Sequence, residues 1–327
     1  MNSKKFAKLG YGLLLLGMIA APFMGAYPVF VMKLMCFALF ACAFNLLLGY
    51  TGLLSFGHAA FFGGAAYVTG HAIKVWHLTP ELGILFGVAF GALLGVVFGW
   101  LAIRRQGIYF SMITLALAQM LFFACLQMPF TGGEDGLQAV PRGKLFGVLS
   151  LESDWTMYYV ALAIVVLAFL LIMRTVHSPF GQVLKALKEN EPRAISLGYD
   201  VNRFKLLAFV ISAALAGLAG SLKTVVLGFA TLTDVHWTAS GQVILMTLVG
   251  GLGLLSGPIV GSAVIVALEN KIGDIGTWLS RLTGVEWFNT LGESVTIVTG
   301  LIFVICVLAF RRGIMGELIA FMDRKKK

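Results

Sequence analysis

Long apolar runs, separated by short polar turns, follow one another along almost the whole chain. A bilayer core of roughly 30 Å needs about 20 apolar residues per helix, and these runs have that length. The alternating segments of about ten residues that are typical of a membrane barrel do not occur. Because 59% of the 327 residues are hydrophobic and 12% are charged, the chain has too few polar side chains to cover a soluble globule. The sequence therefore predicts an all-α, polytopic transmembrane helical bundle, with one membrane domain over residues 1–327.

About ten spans are predicted, with a range of eight to ten. They are Leu9–Ala26, Val29–Leu48, a run that ends near Val75, Leu82–Ile103, Ile108–Met128, Trp155–Met173, Phe204–Leu227, Ser240–Val249, Ile259–Leu268 and Leu291–Phe310. The first run could be a secretory signal, but we expect a retained helix because the remaining topology needs its orientation. Glu269–Asn289 is predicted as an interfacial amphipathic segment, with Trp278 and Trp287 at headgroup depth.

The charges indicate the orientation of the bundle. If the N-terminus lies in the cytoplasm, 17 of the 24 Lys and Arg fall on that side, and 10 of the 15 Asp and Glu fall on the other. This bias follows the positive-inside rule, which puts both termini and residues 174–205 in the cytoplasm and residues 129–154 in a periplasmic loop. The topology also explains the net charge of +9, so we expect no nucleic-acid partner.

Residues 174–205 form the longest polar interruption that also carries signals of ordered structure. Gln182–Asn190 predicts a short amphipathic helix with Val183, Leu184 and Leu187 on one face. Pro192 suits the first turn of a second short helix, and Gly198 suits its C-terminal stop. The alternative interpretation is a solvated connector.

Two glycine-rich breaks share the pattern GxxGLLS: GYTGLLS at 49–55 and GGLGLLS at 250–256. Non-helical backbone at membrane depth is tolerated where it is buried in protein or lines a cavity. We therefore expect helix ends with free N–H and C=O groups that a small polar solute could contact. The residues predicted for a translocation path are Asn45, Thr51, Gly52, Ser55, Gly57 and His58. His58 could equally be a packing residue that donates to a free carbonyl.

The fourth predicted span carries a glycine at every fourth position: Gly83, Gly87, Gly91, Gly95 and Gly99. Ala213, Gly217 and Ser221 repeat this spacing on the seventh span. Small residues in this register let two helix backbones approach closely. The pattern predicts helix packing, either static or as a surface that slides during transport.

The sequence lacks an obvious energy source or catalytic centre. Asp and Glu fall in predicted loops and helix ends, and Lys33 and Lys223 fall near the outer ends of spans, where they could snorkel. The sequence has no GxxxxGK[ST] phosphate loop, its five histidines are scattered, and its four cysteines lack CxxC spacing. We therefore predict no catalytic residues, cofactor or metal site, and expect another subunit to supply the energy.

Three segments carry a family resemblance: FNLLLGYTGLLSFGHAAFFGGAAY at 44–67, residues 180–222, and LMTLVGGLGLLSGPIVGSAV at 245–264. Through them the chain resembles the inner-membrane permeases of ABC importers for branched-chain amino acids. The resemblance implies a second homologous permease, two ABC ATPase subunits and a periplasmic substrate-binding protein. Urea and short-chain amide permeases are similar over the same segments.

In that family the middle segment corresponds to the loop that docks into a groove of the ATPase, and Glu189, Glu191, Ala194 and Gly198 stand at matching positions. With the apolar face of the first short helix added, the residues predicted to couple to the ATPase are Gln182, Leu184, Leu187, Glu189, Glu191, Ala194 and Gly198. A secondary transporter and a polytopic membrane enzyme are the other function classes considered.

Overall fold

The computed structural model describes residues 16–23, 25, 27–283, 300–301, 304, 308 and 312–324. Its helices are α1 (Pro28–Thr51), α2 (His58–Lys74), α3 (Pro80–Ala102), α4 (Ile108–Gln127), α5 (Asp154–His177), α6 (Pro179–Glu189), α7 (Glu191–Ser196), α8 (Val201–Leu227), α9 (Leu232–Val235), α10 (Trp237–Gly250), α11 (Gly257–Thr283) and α12 (Gly313–Arg324). Between α4 and α5 lie two 3₁₀ turns, Pro129–Thr131 and Gly133–Asp135, and an antiparallel ribbon of β1 (Lys144–Leu145) and β2 (Leu149–Ser150).

The described chain is an all-α multi-pass membrane protein. Five of its described helices are long and apolar enough to cross a bilayer, namely α1, α3, α4, α5 and α8. In α1 and α8, 78% and 67% of the most apolar stretch is buried, against 28% in α4. α8 packs on α1, α2 and α3, so α1 and α8 form the centre of the bundle and α4 lies at its periphery.

The predicted span boundaries agree with most of these helices, but one segment is wrong. The predicted short span Ile259–Leu268 and the predicted interfacial segment, as far as Thr283, form one continuous helix, α11. Glu269, where the interruption was expected, accepts a 2.6 Å hydrogen bond from the Gln242 amide of α10, so its carboxylate does not require the helix to end. Half of the predicted first span and most of the predicted last span, together with Trp287 and Cys306, lie outside the described residues.

The glycine register of α3 lies at a helix interface. All five glycines are buried, and they face α8 and α2. A Cβ built on Gly91 would lie 3.0 Å from the Ala213 carbonyl oxygen and 3.2 Å from the Gly217 Cα. Gly220 of α8 likewise lies directly against the backbone of Phe62 in α2. Backbone therefore meets backbone on both sides of α8, which is the packing that small residues allow in membranes.

A buried ion pair closes the end of α8, where the sequence predicted a snorkelling lysine. Lys223 is 3% exposed and Asp234, in α9, is 8% exposed. The Lys223 Nζ lies 2.6 Å from the Asp234 Oδ2, which also accepts hydrogen bonds from the backbone N–H and hydroxyl of Thr231. The Phe229 ring lies 4.5 Å from the ammonium. The sequence pattern missed the pair because α9 folds back into the bundle and supplies the counter-charge.

The helix connections gather at two opposite ends of the bundle. At one end, an isolated bridge joins Leu137 to Ala230, and the Arg142 guanidinium binds both Asp154 and the Val226 carbonyl. At the other end lie the two breaks, α6, α7 and α12. The ion pair of α8 and α9 belongs to the first end, and the predicted coupling segment belongs to the second.

We expect Gly91→Leu to reduce the stability of the folded chain by about 1–3 kcal/mol, the usual cost of overpacking, because the backbone of α8 cannot move aside. Gly241→Leu is the matched control: it is also a helical glycine, and a Cβ there would meet nothing within 4 Å. Thermal unfolding in detergent measures both variants. Equal melting temperatures would contradict the close packing of α3 and α8.

We expect Lys223→Met alone to cost about 3–5 kcal/mol because it leaves a buried carboxylate without its partner. The double variant Lys223→Met/Asp234→Asn should recover most of this loss, since the introduced amide is neutral and its oxygen could still accept from Thr231. Unfolding measured for the two variants decides the matter. A double variant as unstable as the single would assign the loss to packing of the lysine side chain.

Candidate functional site

The first break begins where α1 ends at a glycine in the left-handed conformation. Gly52 has φ +77°, and its N–H donates to the Leu48 carbonyl. The Thr51 hydroxyl donates to the Leu47 carbonyl at 2.6 Å. Gly57 precedes α2 with an ordinary φ of −90°, and a Cβ there would lie 3.1 Å from the Thr114 carbonyl oxygen. Gly52 is therefore needed for its backbone angle, and Gly57 for the close approach of α4.

The second break follows α10 and, like the first, depends on glycines for positive backbone angles and for close contacts. Gly251 and Gly253 have φ of +118° and +73°, which L side chains rarely adopt. Gly250 and Gly257 lie directly against each other where α10 and α11 meet. A cavity of about 420 Å³ lies between this break and α12, with Leu252 and Arg312 in its wall.

One amide side chain joins the two breaks. The Asn45 Nδ2 donates to the Leu254 carbonyl at 2.9 Å, and the Asn45 Oδ1 accepts from the Gly253 N–H at 3.0 Å. Asn45 is 2% exposed, and Gly49 lies beside it against Gly253. The two segments with the shared motif are therefore in contact, although they stand far apart in the sequence.

Hydroxyls from α4 and α10 bind further backbone groups at the first break and at the start of α2. Ser111 donates to the Leu54 carbonyl at 2.7 Å, and the Thr114 Oγ1 accepts from the Phe56 N–H at 3.2 Å. The Ser240 hydroxyl accepts from the Ala59 N–H at 2.8 Å at the start of α2. These residues are not among the site residues predicted from the sequence. The spacing of Ser111 and Thr114 on one face of an apolar helix is the signal that could have identified two of them.

His58 lies in an aromatic cage at the start of α2. Its Nε2 lies 2.8 Å from the Ser212 hydroxyl, which donates to the Ala43 carbonyl. Phe44, Phe61 and Phe209 surround the imidazole at ring-centroid distances of 5.0, 5.5 and 6.1 Å. The imidazole is fully buried and joins α2 to α8 through a hydroxyl, rather than to a carbonyl as the packing alternative proposed.

The side chains predicted for the translocation path are buried in this conformation. Asn45, Thr51, Ser55 and His58 are each no more than 5% exposed, and every one of them forms a hydrogen bond within the chain. Gly52 is exposed, whereas Gly57 is buried. In this conformation the six residues form the framework that connects α1, α2 and the second break, and the buried Nδ1 of His58 has no hydrogen-bond partner.

The polar segment after α5 folds into two capped helices, as predicted. The Ser178 hydroxyl accepts from the Gly181 N–H at 3.3 Å, and the Asn190 Oδ1 accepts from the Arg193 N–H at 3.1 Å. Gly198, with φ +87°, follows the end of α7. Because each helix has its own N-cap, the segment is an ordered element rather than a flexible connector.

The apolar face that was predicted to dock on the ATPase is buried within this chain. Leu184, Leu187 and Ala194 are 0%, 3% and 3% exposed and pack into the core of this same chain. They therefore cannot offer an apolar face to a partner. The exposed positions of the coupling set are Gln182, Glu189 and Gly198. The exposed apolar side chains of this segment, at 58%, 69% and 43%, are Ile195, Leu197 and Tyr199.

Glu191 is bound within the chain on both carboxylate oxygens. Its Oε1 accepts from the Gln106 amide at 2.8 Å, and its Oε2 lies 2.7 Å from the Lys205 Nζ. The Lys205 side chain is 5% exposed and that of Glu191 is 22% exposed. Glu191 thus holds α7 to the turn after α3 and to the start of α8.

Lys188 connects the same segment to the first break. Its Nζ donates to the Gly49 carbonyl at 2.8 Å, in the last turn of α1. A Cβ on Gly52 would lie 3.5 Å from the Lys188 Cγ, so the alkyl chain lies along the break. No basic residue of α1 itself lies in that last turn, and Lys188 supplies the cation that a helix C-terminus favours.

The model of a protein family described as a branched-chain amino acid transport system permease component matches residues 29–310. The permease protein LivM of the high-affinity branched-chain amino acid transport system of Salmonella typhimurium is 28% identical over 297 residues, which is 81% of this chain and 68% of the relative. LivM of Escherichia coli is 27% identical over 76% of this chain and 64% of the relative.

The chain therefore spans about two thirds of the length of these relatives. The ribose import permease protein RbsC of Bacillus subtilis is 29% identical over 60% of this chain and 58% of the relative. No solved structure matches the chain. Because the family model covers all the helices from α1 to α11, the chain belongs to the family of permease components of branched-chain amino acid transport systems.

Proposed function

We propose that the chain is the transmembrane permease subunit of an ABC importer for branched-chain amino acids in the bacterial inner membrane. It forms half of a translocation path and is driven by separate ATPase subunits. The observation that carries this proposal is the ordered polar segment of α6 and α7, which Lys188 and Glu191 fasten to the membrane helices. Because this segment has its own caps and is held by an ion pair, a movement of the segment would be passed to the membrane helices that it contacts.

The charge distribution supports one orientation for the bundle. The end with α6, α7, both breaks and α12 is cytoplasmic in this proposal, and the loop of residues 129–154 is periplasmic. About ten spans and two cytoplasmic termini complete the topology. The bundle end with the loop would then receive solute from a periplasmic binding protein, and the opposite end would meet the ATPase.

The surface proposed to meet the ATPase is the outward side of α7 and the turn after it. Ile195, Leu197 and Tyr199 are exposed there, while Gln182 and Glu189 stand exposed on α6. This surface is fixed to the bundle by residues that bind or pack within the chain, namely Glu191, Ala194, Leu184 and Leu187. The coupling set predicted from the sequence thus divides into residues that contact the partner and residues that hold them in place.

Similarity to LivM over 81% and 76% of the chain supports branched-chain amino acids as the solute, against 60% for the ribose permease. A urea or short-chain amide permease is the alternative within this architecture. A secondary transporter is disfavoured for a new reason. Asp234 and Glu269 do lie within the described bundle, but Lys223 and the Gln242 amide bind them, as expected of structural rather than proton-carrying carboxylates.

The remaining partner is a second, homologous permease. With a second permease, two ATPases and the binding protein, the paired breaks would form part of the cytoplasmic gate of a path between the two permeases. Asn45, Thr51, Ser55 and His58 would then hold the gate closed in the present conformation, and Gly52 and Gly57 would let the chain bend there.

Omission of single components tests this proposal. The chain alone in liposomes should neither hydrolyse ATP nor accumulate labelled leucine, because its sequence has no phosphate loop. The complete set of subunits should accumulate leucine only with ATP, and omission of any one subunit should abolish uptake. Accumulation by the chain alone under a proton gradient would instead establish a secondary transporter.

The docking surface predicts a second result. Ile195→Glu should reduce copurification of the ATPase subunits by roughly tenfold, since an exposed apolar contact would be replaced by a charge in the interface. Val148→Glu is the control, because Val148 is also β-branched and exposed, at 87%, but lies in the β1–β2 turn at the opposite end. Equal copurification of the two variants would place the ATPase contact elsewhere.

A further inference from the structure

Lys188 links α6, on the surface of the proposed cytoplasmic end, to the end of α1 in the proposed gate. Lys188 itself is exposed on α6, yet its ammonium reaches the Gly49 carbonyl. That carbonyl lies in the last turn of α1, one turn after Asn45 and at the start of the first break. A displacement of α6 therefore acts directly on the end of α1.

Asn45 continues the connection to the second break. It lies one turn before Gly49 in α1 and binds Gly253 and Leu254 in both directions, as donor and as acceptor. Gly49 and Gly253 are also in backbone contact, since a Cβ on Gly253 would lie 3.3 Å from the Gly49 carbonyl oxygen. The second break in turn lies against the start of α12, since a Cβ on Gly251 would lie 3.0 Å from the carbonyl oxygen of Arg312, the residue before that helix.

We propose that Lys188 and Asn45 are positioning residues that act in series, so that movement of α6 is passed through the end of α1 to the second break. This inference rests on the proposed function for its biological meaning, but the linkage itself is a property of this chain. Both links use hydrogen bonds to backbone atoms, which cannot swing away as side chains do. The two breaks and α6 would then move as one unit.

A purely structural role is the competing explanation, because Lys188 also caps the C-terminus of α1. Such a role would change stability and assembly alone. A serial linkage adds two effects that a cap does not produce. Loss of Lys188 would loosen the second break, with which it has no hydrogen bond, and losses at Lys188 and Asn45 would not multiply.

Hydrogen exchange on the purified full-length chain tests the linkage without any partner. Lys188→Met should raise the exchange rate of the Gly253 amide severalfold, and Asn45→Leu should do so directly, because it removes the acceptor of that amide. Lys185→Met is the control: it removes the same charge from α6, but Lys185 lies over the Tyr50 ring at 5.7 Å and has no such bond. Unchanged exchange at Gly253 in Lys188→Met would overturn the proposal.

The reconstituted complex tests the consequence for transport. Lys188→Met should keep ATPase copurification and basal hydrolysis but lose about tenfold in leucine uptake and in stimulation by loaded binding protein, the scale of one charged hydrogen bond. Lys188→Arg should restore most of both. The double variant Lys188→Met/Asn45→Leu should lose no more leucine uptake than the more impaired of the two single variants.

Two outcomes would overturn the serial linkage: a loss in the double variant equal to the product of the two single losses, or equal losses in Lys188→Met and Lys185→Met. If the unmodified complex fails to transport leucine, the proposed function falls while the exchange result still decides whether the linkage exists.

Discussion

Backbone polar groups in a bundle surrounded by lipid have to find hydrogen-bond partners inside the protein, and this constraint shapes the molecule at its two helix breaks. Each break exposes N–H and C=O groups that no helix satisfies. Asn45 pairs one break with the other, and the hydroxyls of Ser111, Thr114 and Ser240 bind three further backbone groups at the first break and the start of α2. The placement of α4 and α10 around α2 follows from this need as much as from apolar packing.

Small residues provide the second condition for this arrangement. Hydroxyls can reach a neighbouring backbone only where helices approach closely, and the glycines of α3 and α8 permit that approach. The Thr69 hydroxyl, for example, lies 2.8 Å from the Ser221 hydroxyl at the crossing of α2, α3 and α8. Close packing and polar satisfaction are thus a single feature of the centre of the bundle.

Local features of this fold could be predicted from the sequence, and contacts between distant segments could not. Apolar length and capping residues placed most span boundaries and the helix stop at Gly198, because both depend on neighbouring residues. The motif repeat marked the two breaks, but their contact through Asn45 depends on how α1 and α10 pack. The sequence shows that Leu184 and Leu187 form an apolar face, but it does not show whether a partner or this chain covers that face. The tertiary structure shows that this chain does. Lys223 was misread for the same reason, since its counter-charge lies in a fold-back element.

The pairing of Lys223 with Asp234 also bears on how the chain enters the membrane. An unpaired lysine within an apolar helix costs free energy when that helix passes from the translocation machinery into lipid, up to about 2.5–3.5 kcal/mol at the centre of a span. The partner of Lys223 stands only 11 residues further along the chain, so the charge can be neutralised within a single nascent hairpin. Full insertion of α8 would thus wait until residues just beyond it have emerged from the ribosome. The spacing of this one ion pair would thus set the point in synthesis at which α8 can insert fully.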